Sequence, residues 1–147
     1  MTWQELLKAK RVQRHKTSKH ELDGLRAVVE RDLKDASLAG LSEDRRFATA
    51  YNCVLQLAKM AIACAGYRVT ARRGHHENTF VALGLAVGPP VAKLVQYFDA
   101  CRRKRNLVDY HLAHVVTETE LDELLENAAE FRTMIEDCIA KNHPQLA

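Results

Sequence analysis

The sequence predicts an all-α fold: an up-and-down bundle of four to five helices. Three observations carry this. Apolar residues recur at spacings of three and four along four long segments. Ser or Thr with a downstream Glu opens several of those segments and Gly or Pro closes them. No stretch shows a convincing strand alternation, and only three prolines and six glycines interrupt 147 residues. The length suits one domain with a real core and is short for two, so the whole span 1–147 is expected to form a single helical domain.

The elements follow in order. A first helix is expected over Thr2 to Arg14, with residues 1–17 set at the periphery of the bundle or irregular. Ser18 and Glu21 form a capping-box pair, and Leu22, Leu25, Val28, Val29, Leu33 and Ala36 give a second helix that Gly40 closes. Ser42 caps a third, whose buried stripe is Phe47, Tyr51, Val54, Leu55, Ala58, Ile62 and Ala65, with Gly66 as its stop. Tyr67 to Gly74 reads as a connection. A shorter helix runs from about His76 to Val87. Gly88-Pro89-Pro90 breaks the chain and starts the next helix, because Pro tolerates a first turn; its apolar line is Val91, Leu94, Phe98 and Cys101. Thr117 and Glu120 form another capping box ahead of Leu121, Leu124, Leu125, Ala128, Phe131, Ile135, Cys138 and Ile139, and that helix stops before Pro144.

Composition narrows the function classes. There is no run of about 18 apolar residues, so no membrane span is expected. The N-terminus turns charged too early for a secretory signal, which makes a cytoplasmic location the default. Cys53, Cys64, Cys101 and Cys138 have neither Cys-x-x-Cys spacing nor a His pair to complete a zinc box, so reduced core thiols are expected and no metal. Gly84-Leu85-Ala86-Val87-Gly88-Pro89 lacks the Lys and Ser/Thr of a phosphate loop, and no cofactor is expected. Net charge is only +3 but unevenly spread: Lys8 to His20 is basic, Arg102 to Arg105 is basic, and Glu118 to Asp137 carries eight acids against one Arg. A basic patch binds phosphates; the N-terminal run reads better as solvated helix faces.

Chemistry concentrates in Arg102-Arg103-Lys104-Arg105-Asn106-Leu107-Val108-Asp109-Tyr110-His111. On a helix, Arg102, Arg105, Asn106 and Asp109 point into one sector. Continuing the line Val91, Leu94, Phe98, Cys101 leads to Arg105 and then Val108. Arg105 therefore falls on the core-facing side and needs an acceptor or a cleft. Two readings stand: a phosphate clamp at a cleft, or an exposed Arg near a helix end paired with Asp109. His111 lies about 240° around a regular helix from Arg105, so the two converge only if the helix loosens near Tyr110 or if a second subunit supplies one of them. Arg72, Arg73, His75 and His76 could line the same cleft; the plainer reading of His75-His76-Glu77 is a polar loop with an acid at a helix N-terminus.

The pattern Arg105-Asn106 followed by Asp109-Tyr110-His111 resembles the signature of HEPN domains (higher eukaryotes and prokaryotes nucleotide-binding), an Arg, often followed by a polar residue such as Asn, with a His four to six residues on. Arg46-Phe47-Ala48-Thr49-Ala50-Tyr51-Asn52, continuing to Ala65-Gly66-Tyr67, looks like the family's long helix ending in Gly. Gly74-His75-His76-Glu77 resembles the loop before its short helix. The likeness spans about Ser18 to Ile139. It implies a helical bundle that pairs as a homodimer with the motifs facing each other. It also implies one of two functions. One is a metal-independent endoribonuclease of toxin, RNA-processing or defence type, with an antitoxin or nucleotidyltransferase as partner. The other is a non-catalytic module that binds a nucleotide, RNA or a protein. In the catalytic version a ribose 2′-OH attacks the adjacent phosphate. Arg105 is then the clamp, His111 the acid/base, and Asn106 and Asp109 the orienting groups, with Arg102, Arg103, Arg72, Arg73, His75 and His76 as nucleic-acid contacts. Five residues separate Arg105 from His111; the spacing of four found in many members would put Tyr110 in the His position, and a phenol is a poor base at pH 7.

Overall fold

A computed structural model describes residues 1–110 and 113–147. The chain forms an all-α bundle with one small antiparallel ribbon. Its elements are α1 (Trp3–Lys8), β1 (Val12–Arg14), α2 (Lys19–Ala36), α3 (Glu43–Cys64), β2 (Tyr67–Val69), α4 (His75–Val87), α5 (Ala92–Asp109) and α6 (Glu118–Asn142), with 3-10 turns at Pro89–Val91 and Pro144–Leu146.

Helices α2, α3 and α6 start where side chains satisfy their first N–H groups. Ser18 accepts from the Glu21 N–H, Ser42 from the Arg45 N–H, and Thr117 and Glu120 complete a reciprocal capping box. At Ser18 only half of the expected box forms, because the Glu21 carboxylate turns to His15 at 2.8 Å and to the Thr17 hydroxyl at 2.8 Å. Gly66, at φ +96°, closes α3 as expected.

Helix α3 is the axis of the bundle. Its buried residues run from Phe47 to Ala63 and pack against α2, α4, α5 and α6. By length and composition α3 could cross a membrane, but 67% of that window is buried inside the protein. Phe98 of α5 anchors the far side, with ring centroids 5.0 Å from Phe131 of α6 and 6.4 Å from Phe80 of α4. Cys53 and Cys101 are buried and all four cysteines are free thiols.

Three expectations are corrected. The first helix ends at Lys8, not Arg14, and the chain then pairs as a strand: Val12 opposite Val69, Gln13 opposite Arg68, Arg14 opposite Tyr67. Tertiary contacts outweigh local helix preference here. Val12 is only 2% exposed, in a small core with Leu6, Ile62 and Ala82, and Trp3 stacks on Tyr67 at 4.0 Å. By the same pairing, Tyr67 to Gly74 is not wholly a connection. Helix α2 ends at Ala36, ahead of Gly40. Its terminal carbonyls are already satisfied there, since Arg46 Nε donates to the Ala36 carbonyl at 2.8 Å and the Ser37 hydroxyl to that of Leu33 at 2.9 Å.

Candidate functional site in the groove between α4 and α5

Gly74 enters α4 in the left-handed region at φ +80°, and no side chain among the described residues caps the helix start. That bare N-terminus, with its positive end of the helix dipole, opens beside one face of α5. Between them lies a groove of about 310 Å³. Arg73, Gly74, His75, His76 and Glu77 line one side; Arg102, Arg105 and Asn106 line the other.

Arg105 sits on the continuation of the apolar line of α5, as its spacing predicts, and is half-buried. Its Nη1 lies 2.6 Å from the Asp109 carboxylate one turn on. Its guanidinium carbon stands 5.9 Å from the centroid of the Tyr51 ring on α3. Its Nε is buried and has no hydrogen-bond partner among the described residues. Arg102 is held from two sides, by Asp99 at 2.9 Å and by Glu77 of α4 at 3.3 Å. The Arg102 guanidinium in turn holds the Asp99 carboxyl below its usual range.

His76 is the chemically unusual group. Burial, followed by the charges of His75, Arg105, Lys59 and Arg102, pushes its pKa down to about 4, so the ring is neutral at pH 7. Its Nδ1 lies 3.4 Å from the Tyr51 hydroxyl. Burial drives the Tyr51 phenol well above its ordinary value, partly opposed by Arg105 and Arg102, so Tyr51 is a neutral dipole. The His75 ring meets His76 edge-on at 4.3 Å, and its own Nδ1 lies 3.0 Å from the Arg72 carbonyl.

The remaining sequence-derived residues divide clearly. Arg72 does not line the groove; its Nη1 donates to the carbonyls of Ala9 at 2.8 Å and Lys10 at 3.1 Å, tying the N-terminal turn down. Arg103 is exposed and pairs with Asp99 at 3.0 Å. Lys104 bridges to Glu120 of α6 at 3.1 Å. Asp109 restrains Arg105 but faces a neighbouring concavity with Val108 and Leu41. Tyr110 is 76% exposed just past the end of α5. His111 lies outside the described residues. Among those residues no group of three or more His, Cys, Asp or Glu is placed to hold a metal ion.

Two site residues escaped the sequence reading. Tyr51 was legible only as core, although a buried phenol needs a partner for its hydroxyl and so points to a polar neighbour. Asp99 had a usable signal, its spacing of three to Arg102 and four to Arg103.

A family model described as HEPN_SAV_6107-like HEPN matches residues 39–136, from just before α3 to within α6. The match therefore spans α3, α4 and α5, which together build the groove. No curated protein and no solved structure matches the chain.

Proposed function

The chain belongs to the HEPN family, and on that premise we propose that the groove binds the phosphodiester backbone of RNA and that the protein is a metal-independent endoribonuclease. The observation that supports this is the convergence of the Arg73, Arg102 and Arg105 side chains on one groove beside the start of α4. A phosphate in that groove takes paired, charge-assisted hydrogen bonds from the guanidinium groups.

The carboxylates around the cations do not argue against such a ligand. Asp109 and Glu77 are more than half exposed in their pairs with Arg105 and Arg102. Pairs of that kind contribute about 0–1 kcal/mol, so a phosphate carrying full charge displaces them at little cost. The uncapped start of α4 adds N–H groups and a positive dipole end to the same groove.

In this reading Arg105 stabilises the charge that develops on the phosphoryl oxygens, Arg102 and Arg73 steer the backbone, and Asn106 orients it. His111, at the family's spacing from Arg105, moves a proton. Two copies pairing through this face would bring two motifs together.

The test is RNA cleavage in EDTA, with binding followed in parallel. Cleavage by the wild type that is lost in Arg105→Ala and in His111→Ala is the expected result. Cleavage that persists in both variants overturns the assignment. Binding without cleavage assigns the groove to a non-catalytic RNA-binding module instead.

A further inference from the structure

We propose that His76 is a catalytic residue of this groove, taking the proton of the attacking ribose 2′-hydroxyl. This rests on the reading of the groove as an RNA-cleaving site and names a proton acceptor that the Arg/His motif does not include.

His76 lines the groove together with Arg102 and Arg105, so a phosphate held by those guanidinium groups lies beside its ring. One edge of the ring is engaged: Nδ1 stands 3.4 Å from the Tyr51 hydroxyl. The other edge, Nε2, takes part in no hydrogen bond among the described residues. When Nδ1–H donates to the Tyr51 oxygen, the Nε2 lone pair is left for a ligand. Tyr51 is completely buried in α3 and also carries the Arg105 guanidinium over its ring, so one rigid side chain sets the positions of both the clamp and the base.

Electrostatics makes the ring an acceptor in the free protein. The groups facing it are Lys59 and Tyr51 from α3, His75 and Glu77 from its own helix, and Arg102 and Arg105 from α5. Cations dominate that set, and together with burial they hold His76 neutral. A bound phosphodiester reverses part of this effect. Its negative charge offsets Arg102 and Arg105 and raises the basicity of His76 toward the range in which an imidazole transfers protons well. The base is therefore unprotonated before substrate arrives and strengthens once it has bound.

The step balances as follows. The 2′-hydroxyl proton passes to His76 Nε2 as the 2′-oxygen bonds to phosphorus. The bond from phosphorus to the 5′-oxygen breaks, and that oxygen leaves with a proton from water. The products are a 2′,3′-cyclic phosphate and a free 5′-hydroxyl, and His76 returns its proton to water.

The experiment measures single-turnover cleavage of an RNA strand, and binding of the same strand with a 2′-deoxy group at the scissile position. Wild type, His76→Gln, His76→Ala and Arg105→Ala are compared across pH. His76→Gln should slow cleavage by about 100-fold and remove the acid limb of the pH–rate profile. Binding of the deoxy strand should change by no more than about twofold, because the lost interaction exists only in the transition state. Added imidazole should restore part of the rate in His76→Ala, which a merely structural role would not allow. An unchanged rate and acid limb in His76→Gln, with activity lost in Arg105→Ala, overturns the role of His76 alone. A wild type that does not cleave overturns the ribonuclease reading and this step with it.

Discussion

The guanidinium carbon of Arg105 lies 5.9 Å from the centroid of the Tyr51 ring. Tyr51 also reaches His76 through its hydroxyl, at 3.4 Å. One buried phenol thus supports a cation by its face and an imidazole by its edge. The two functions separate by substitution. Tyr51→Phe keeps the ring and removes the hydroxyl; it should cost about 1 kcal/mol in stability and leave RNA affinity unchanged. Tyr51→Leu also removes the face under Arg105, a contact of about 0.5–2 kcal/mol, and should weaken RNA binding in a fluorescence anisotropy titration. Equal RNA affinity in the Phe and Leu variants would show that the ring does not position Arg105.

Arg105 is expected to act through fork geometry as well as charge. Arg105→Ala removes one phosphate contact, so the slope of log K against log salt should fall in magnitude by about 1. Arg105→Lys keeps the charge and should keep the slope, while affinity falls by about tenfold through loss of the paired donors. An affinity in Arg105→Lys equal to wild type would mean that the planar fork plays no part in binding.

These residues also show how far the sequence could be read. Helices α2, α3 and α6 announce themselves because their starts combine Ser or Thr caps with long apolar stripes. The ribbon does not: Val12–Arg14 and Tyr67–Val69 are three residues each, too short for alternation to register, and each is stabilised by a partner far away in the chain. Arg105 was legible because it continues the line through Phe98 and Cys101, both buried. Arg72 was not, because its acceptors are the carbonyls of Ala9 and Lys10, which only the folded N-terminal turn brings within reach. Tyr51 carried the signature of a core residue and is one; its second role depends on α4 placing His76 against its hydroxyl.

The neutral state of His76 has a cost in acid. Its pKa is about 4 in the fold against about 6.5 in the unfolded chain. Between those values the unfolded chain holds a proton that the folded protein does not, so stability rises with pH there. The penalty is absent above about pH 6.5 and grows as pH falls through that value toward 4. His76→Gln removes the titration, so its melting temperature should fall less than that of the wild type between neutral and mildly acidic pH. Parallel curves for the two proteins would show that His76 is not held neutral by the fold.

Between α5 and α6, the backbone at His114 and Val116 is held by one side chain of α3. Asp44, in the first turn of that helix, accepts from the His114 N–H at 2.8 Å through one carboxylate oxygen and from the Val116 N–H at 2.9 Å through the other. The position suits a carboxylate, because the helix start is the positive end of its dipole. The clamp also fixes a strained turn, since His114 adopts φ +58° and the next buried residue, Val116, packs into the main core. Asp44→Ala leaves both N–H groups without acceptors and should cost about 1–3 kcal/mol. Asp44→Asn keeps one acceptor oxygen and should cost less. His114→Gly, which accepts a positive φ without strain, should recover part of the loss in the Ala background. Amide hydrogen exchange reads the clamp directly: in Asp44→Ala the amides of His114 and Val116 should exchange faster, while those in the middle of α3 stay protected. Unchanged protection at His114 and Val116 would mean that the core contact of Val116, not Asp44, holds the segment down.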